Sequence, residues 1–124
     1  MKCKRWETPL SNCGRLCFRR LVDQELLLFE VKDEHGTLYE VILKSDTDYS
    51  YLIRDEAYTT HDVNLRETGW TYIVEDGGFI SLMSVMVEHA QYLGDKPYVH
   101  YVVSTDDSCL ELLSIDPPIV RKVR

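Results

Sequence analysis

At 124 residues, 44% hydrophobic and 28% charged, the sequence has the size and balance of one globular domain, 1–124, which excludes a disordered chain. Its longest uninterrupted apolar run, Leu26 to Phe29, is far below the roughly 18 residues of a membrane-spanning helix, so no span is expected. The formal net charge of −7 is segregated: Met1 to Arg20 holds six Lys or Arg and one acid, whereas Leu21 to Val120 holds five basic residues and twenty acids. Arg121 to Arg124 adds three positive charges, so an acidic body lies between two basic ends. Such a body repels phosphate backbones; nucleic acid is not its expected partner, and a basic protein surface is.

The first residues, Met1-Lys2-Cys3-Lys4-Arg5-Trp6, carry the charge of a signal n-region without an apolar stretch after it. Cys3, Cys13, Cys17 and Cys109 therefore read as reduced thiols, and a cytoplasmic address is expected. The basic segment 1–20 is expected to be less ordered than the body.

Leu26–Lys32 and Leu38–Lys44 are short, β-rich and flank Asp33-Glu34-His35-Gly36, which predicts a hairpin. Pairing Val31 with Tyr39, Phe29 with Val41 and Leu27 with Leu43 puts six apolar side chains on one face, while a one-residue slip sets Phe29 against Glu40. The first register leaves Glu34-His35-Gly36 as a three-residue loop with Gly36 free to adopt positive φ. It also places Glu30 opposite Glu40, a repulsion tolerable only if that face is wet or meets a cation.

Residues 45–69 are polar and fit either a short helix or a strand; the dense aromatic and β-branched residues of Tyr49–Arg54 favour a strand. Trp70–Glu75 reads as another strand, ended by Asp76-Gly77-Gly78. Phe79, Ile80, Met83, Met86, Val87, Ala90 and Leu93 recur at helical spacing before Gly94, predicting a helix over 79–93. Tyr98–Ser104 and Cys109–Ile115 read as strands joined by a turn at Thr105-Asp106-Asp107-Ser108, and Pro117-Pro118 is expected to end regular structure. The expected fold is α+β, an antiparallel sheet of five to six strands with the 79–93 helix packed on it.

No strong chemical motif is present. Cys13-Gly14-Arg15-Leu16-Cys17 lacks the second close pair of a structural zinc site, and Ser45-Asp46-Thr47-Asp48 lacks the Gly and Glu a calcium loop needs at its sixth and twelfth positions. His100 with Cys109 and Asp106 or Asp107 can be drawn as a thiol triad, but simple strand pairing does not bring Cys109 opposite His100. No phosphate loop or nucleophile elbow occurs, so no catalytic residue, metal or cofactor is assigned. Tyrosines interleaved with acids suit a protein interface, because the rings bury area while the carboxylates steer a basic partner; core packing of the same rings is the alternative, and the sequence does not separate the two. That pattern assigns partner binding to Asp46, Asp48, Tyr49, Tyr51, Asp55, Glu56, Tyr58 and Asp62.

The function these features favour is a small acidic binding protein or inhibitor. By size and charge, it is analogous to immunity proteins that neutralise basic toxins or nucleases. Two other classes are carried beside it: a small enzyme or ligand-binding α+β domain, and a homo-oligomeric subunit whose apolar patch is covered by a second copy.

Overall fold

The computed structural model describes residues 3–44, 49–55, 65–75 and 98–123. In chain order these form β1 (Cys3–Arg5), β2 (Leu16–Asp23), β3 (Leu26–Asp33), β4 (Leu38–Lys44) and β5 (Tyr49–Asp55). A four-residue helix, α1 (Leu65–Thr68), precedes β6 (Thr71–Val74), β7 (Val99–Ser104), β8 (Ser108–Ser114) and β9 (Ile119–Lys122). The strands make a five-stranded sheet, β1-β6-β7-β8-β5, and a four-stranded sheet, β2-β3-β4-β9.

This corrects the expected fold class. Strands hold 63% of the described residues and helix 4%, in two antiparallel sheets rather than one sheet beneath a main helix. The 79–93 helix lies outside the described residues. Two of the additional strands come from segments whose charge or prolines hid them. In β2, the inward Leu16, Phe18 and Leu21 are spaced irregularly because the register shifts between Phe18 and Arg20, which erases the period of two. Strand β9 begins directly after Pro117-Pro118, since a proline before a strand removes no ladder hydrogen bond within it.

The β3–β4 hairpin has the expected register, with Val31, Phe29 and Leu27 opposite Tyr39, Val41 and Leu43. Gly36 sits at φ 82° and donates its N–H to the Asp33 carbonyl at 3.2 Å, closing the three-residue loop. Asp33 Oδ1 fastens it further by accepting from the backbone N–H groups of His35 and Thr37, both at 2.9 Å.

The core lies between the sheets. Leu27, Phe29, Val31, Val41 and Leu43 of the four-stranded sheet meet Tyr101, Val103, Leu110 and Leu112 of the five-stranded one, all nearly free of solvent. Phe18 stacks on Phe29 with centroids 4.9 Å apart. The segment between β1 and β2 closes one end. Leu10 is fully buried there, Trp6 packs on Tyr101 at 4.9 Å, and the Trp70 indole donates to the Cys13 carbonyl at 2.8 Å.

The Glu30–Glu40 repulsion is resolved by cations from the two basic ends. Arg19 and Arg20 approach Glu30 at 3.3 and 3.5 Å, and Arg121 approaches Glu40 at 3.5 Å. Because Arg20 pairs with Glu30, Glu30 with Glu40 and Glu40 with Arg121, one row across the four adjacent strands reads plus, minus, minus, plus. The basic ends thus neutralise acids of their own chain, and part of the charge segregation seen in the sequence disappears on folding.

Candidate functional site

Two constellations stand out, one at an end of the sandwich and one inside the five-stranded sheet. At the end, β5 begins with Tyr49 and Tyr51, both pointing toward the other sheet because alternate residues share a face. Their ring bodies pack against the cluster of Leu27, Leu43, Tyr101 and Leu112. The rings lie 6.3 Å apart at 28° to one another, and their hydroxyls emerge at the surface. There Tyr49 donates to one oxygen of Asp23 at 2.9 Å and Tyr51 to the other at 3.1 Å.

Asp23 closes β2, so this clasp joins the two sheets across 26 positions of sequence. Gln24 and Glu25 follow it in an exposed turn before β3, where the Gln24 N–H donates to the Leu26 carbonyl at 3.2 Å. The result is an anionic, aromatic end built from β2, β3 and β5.

The question whether these tyrosines belong to core or surface has a divided answer, since the ring bodies are core and the hydroxyls are surface. Of the other residues assigned to partner binding, Asp55 pairs with Ser108 at the opposite end of β5, six residues or about 20 Å from Tyr49. Asp46, Asp48, Glu56, Tyr58 and Asp62 lie outside the described residues. The sequence does not point to Asp23, because only the packing of the two sheets brings β2 to β5 and so Asp23 to the tyrosines; a lone acid before a turn gives no such signal.

The clasp shifts its phenols. Burial, then the hydrogen bond and charge of Asp23, push Tyr49 up to about 12, and the same causes raise Tyr51. A phenol whose folded value exceeds its unfolded value of about 10 holds its proton more tightly in the folded chain. Its stabilising contribution is therefore present below pH 10 and is lost as pH rises through 12. In a native alkaline titration followed by phenolate absorbance, Asp23→Asn should move a tyrosine transition down toward 10, and an unchanged curve would contradict the clasp.

The second constellation uses the face of the five-stranded sheet turned away from the inter-sheet core. His100 on β7 and Glu111 on β8 are diagonal neighbours, and Arg54 on β5 is diagonal to Glu111 from the other side. Glu111 Oε1 lies 3.1 Å from His100 Nε2, and Oε2 lies 2.9 Å from Arg54 Nε. The His100 and Glu111 side chains are 6% and 3% exposed, whereas Arg54 is 30% exposed and connects the buried carboxylate to the surface. Tyr72, Val74, Val102 and Cys109 form the apolar surroundings, and burial there raises the Tyr72 phenol. Such an arrangement holds an imidazole and a carboxylate in fixed orientation in a dry setting.

The thiol triad drawn from the sequence is not assembled. His100 turns to Glu111, while Asp106 and Asp107 leave the β7–β8 turn to tie the sheets together. Arg15 Nε donates to Asp106 at 2.9 Å, the Asp106 N–H donates to the Leu16 carbonyl at 2.8 Å, and the Phe18 N–H donates to Asp107 at 3.0 Å. The cysteines do not converge either: Cys17 is exposed on β2 and Cys109 is buried on β8. Among the described residues, no group of three His, Cys, Asp or Glu has the geometry to hold a metal ion, and no helix is long and apolar enough to cross a membrane. Set beside family models, curated proteins and solved structures, the chain finds no match in any of the three comparisons.

Proposed function

We propose that this chain is an acidic protein-binding β-sandwich that engages a basic partner through the end formed by Asp23, Glu25, Tyr49 and Tyr51, in the manner of a small inhibitor. The observation that carries the reading is the exposed Asp23 carboxylate fixed by two tyrosine hydroxyls. Aromatic rings immobilised before binding lose little entropy on association, and carboxylates beside them steer a cationic surface. The charge balance agrees, because Arg15, Arg19, Arg20, Arg54 and Arg121 all sit against acids of this chain while the net charge remains −7. A basic nuclease or toxin is one partner of that chemistry. Cys3, Cys13, Cys17 and Cys109 as reduced thiols suit a reducing compartment, so a cytoplasmic setting belongs to the proposal.

Capture from native lysate by the tagged chain and by its Asp23→Lys, Glu25→Lys variant tests the reading. A basic protein retained by the first and absent from the second supports it. Identical captures contradict it.

One observation favours a second reading, a ligand-binding or enzymatic domain: the oriented His100–Glu111–Arg54 chain in the five-stranded sheet. The His100 ring resonances report on it directly. A compound from a screen of small anions that moves them in saturable fashion supports this reading, and resonances indifferent to the whole screen contradict it.

A further inference from the structure

The outward face of the four-stranded sheet carries an apolar row that crosses every strand. Val22 pairs with Leu28, Leu28 with Ile42 and Ile42 with Ile119, so β2, β3, β4 and β9 each contribute one aliphatic side chain, with Ile119 exposed, Val22 and Leu28 partly exposed and Ile42 buried at 8%. All three large apolar side chains exposed among the described residues lie on this same face: Leu26 at 37%, Ile119 at 48% and Val123 at 41%. Leu26 stands two residues from Leu28 on β3, and Val123 continues β9 by donating its N–H to the Leu38 carbonyl at 2.7 Å. Scattered exposed aliphatics need no explanation, but their concentration on one sheet face does.

We infer that a second copy of this chain covers this face, with a two-fold axis running along the Val22–Leu28–Ile42–Ile119 row. The choice of occupant and axis rests on charge. On one side of the apolar row lies the row Arg20, Glu30, Glu40, Arg121; on the other Leu26 pairs with Lys44, with Gln24 just past the end of β2 and Pro117 just before β9. Rotation about the apolar row brings the first set over the second. Glu40 of one copy then meets the exposed Lys44 of the other, twice by symmetry, while Glu30 falls over Leu26 and Arg20 over Gln24. No like charges face each other. An axis along the strands would instead place Arg20 over Arg121 and Glu30 over Glu40, because the charged row is a palindrome.

Strand directions stay roughly aligned in this arrangement, as in ordinary sheet-on-sheet packing, and long Lys and Glu side chains span the offset that sheet twist introduces. Four strands about 4.8 Å apart make a patch at the small end of specific interfaces, so the dimer is weak, with a dissociation constant on the order of micromolar or higher. This interface reaches Gln24 and Leu26 and so borders the tyrosine end, but the inference does not depend on the proposed partner.

Sedimentation of the full chain at increasing concentration tests it, in 0.15 M salt, where repulsion between two chains of net charge −7 is screened beyond about 8 Å. The parent should pass from monomer to dimer, and Ile119→Lys should remain monomeric with an unchanged melting temperature, since Ile119 is half exposed. Lys44→Glu and Glu40→Lys should each dimerise at least tenfold more weakly than the parent. Their equimolar mixture should recover dimer, because each supplies the charge the other lacks. A parent that stays monomeric throughout, or a dimer indifferent to Ile119→Lys, would overturn the inference. A dimer lost with Ile119→Lys but not recovered by mixing the charge variants would overturn the two-fold placement.

Discussion

Glu111→Ala should be among the most damaging single substitutions in this chain, lowering stability by about 3–5 kcal/mol, because it leaves the buried His100 and the inner part of Arg54 without the carboxylate between them. Removing one member of a buried ionic group strands the charge or dipole of the others, which is costlier than never having built the group. For a chain of this size that loss corresponds to a fall in melting temperature on the order of 10 °C or more. Glu111→Gln keeps the volume and one hydrogen bond and should lose clearly less. If the two variants melt together and close to the parent, the Arg54–Glu111–His100 chain contributes little to stability.

Phe29→Ala is the second large effect and probes the space between the sheets. Phe29 is fully buried, stacks on Phe18 and belongs to the cluster that includes Val103 and Leu110 of the opposite sheet. Truncation removes its transfer free energy and leaves a cavity that two rigid sheets collapse only in part, about 3–5 kcal/mol in all. Phe18→Ala should cost less, since Phe18 is only partly buried. Denaturant unfolding of both variants checks the order. A Phe29→Ala loss below about 1 kcal/mol would mean that the inter-sheet layer is not the main core.

Local pairing was legible in the sequence and sheet partition was not. The β3–β4 register followed from two periods of alternation and a glycine loop, and the turn at Thr105–Ser108 followed from its polar residues, with the Thr105 N–H bound to the Ser108 carbonyl at 2.9 Å. Both signals act between residues close in sequence. The division into two sheets depends on which face each strand buries and on crossings from β1 to β2, β4 to β5 and β8 to β9. Alternation within one strand carries no information about those crossings. The buried Glu111 shows the same limit, because in sequence it resembles the solvent-facing acid of a half-buried strand. Its burial becomes visible only when β5 and β7 flank β8 and bring Arg54 and His100 to it.

The candidate site was legible in part. Tyrosine beside acid pointed to β5, and Tyr49 and Tyr51 are clasped by a carboxylate, but the carboxylate is Asp23 rather than one of the acids adjacent in sequence. Because the ring bodies sit in the core, alanine at 49 or 51 perturbs folding and would confound any test of the proposed binding. Phenylalanine removes the hydroxyl alone.

The most direct measurement of the central claim is the association rate of the captured partner as a function of ionic strength, for the parent, Asp23→Lys with Glu25→Lys, and Tyr49→Phe with Tyr51→Phe. The account predicts a parent rate that falls steeply as salt shortens the screening length from about 10 Å at 0.1 M. The charge-reversed chain should associate at least tenfold more slowly with a flattened salt dependence. The phenylalanine pair should associate nearly normally but dissociate faster, because the rings lose the anchor that fixes them. An association rate indifferent to salt and to reversal of Asp23 and Glu25 would contradict the account, leaving the Asp23 clasp as a structural tie between the two sheets.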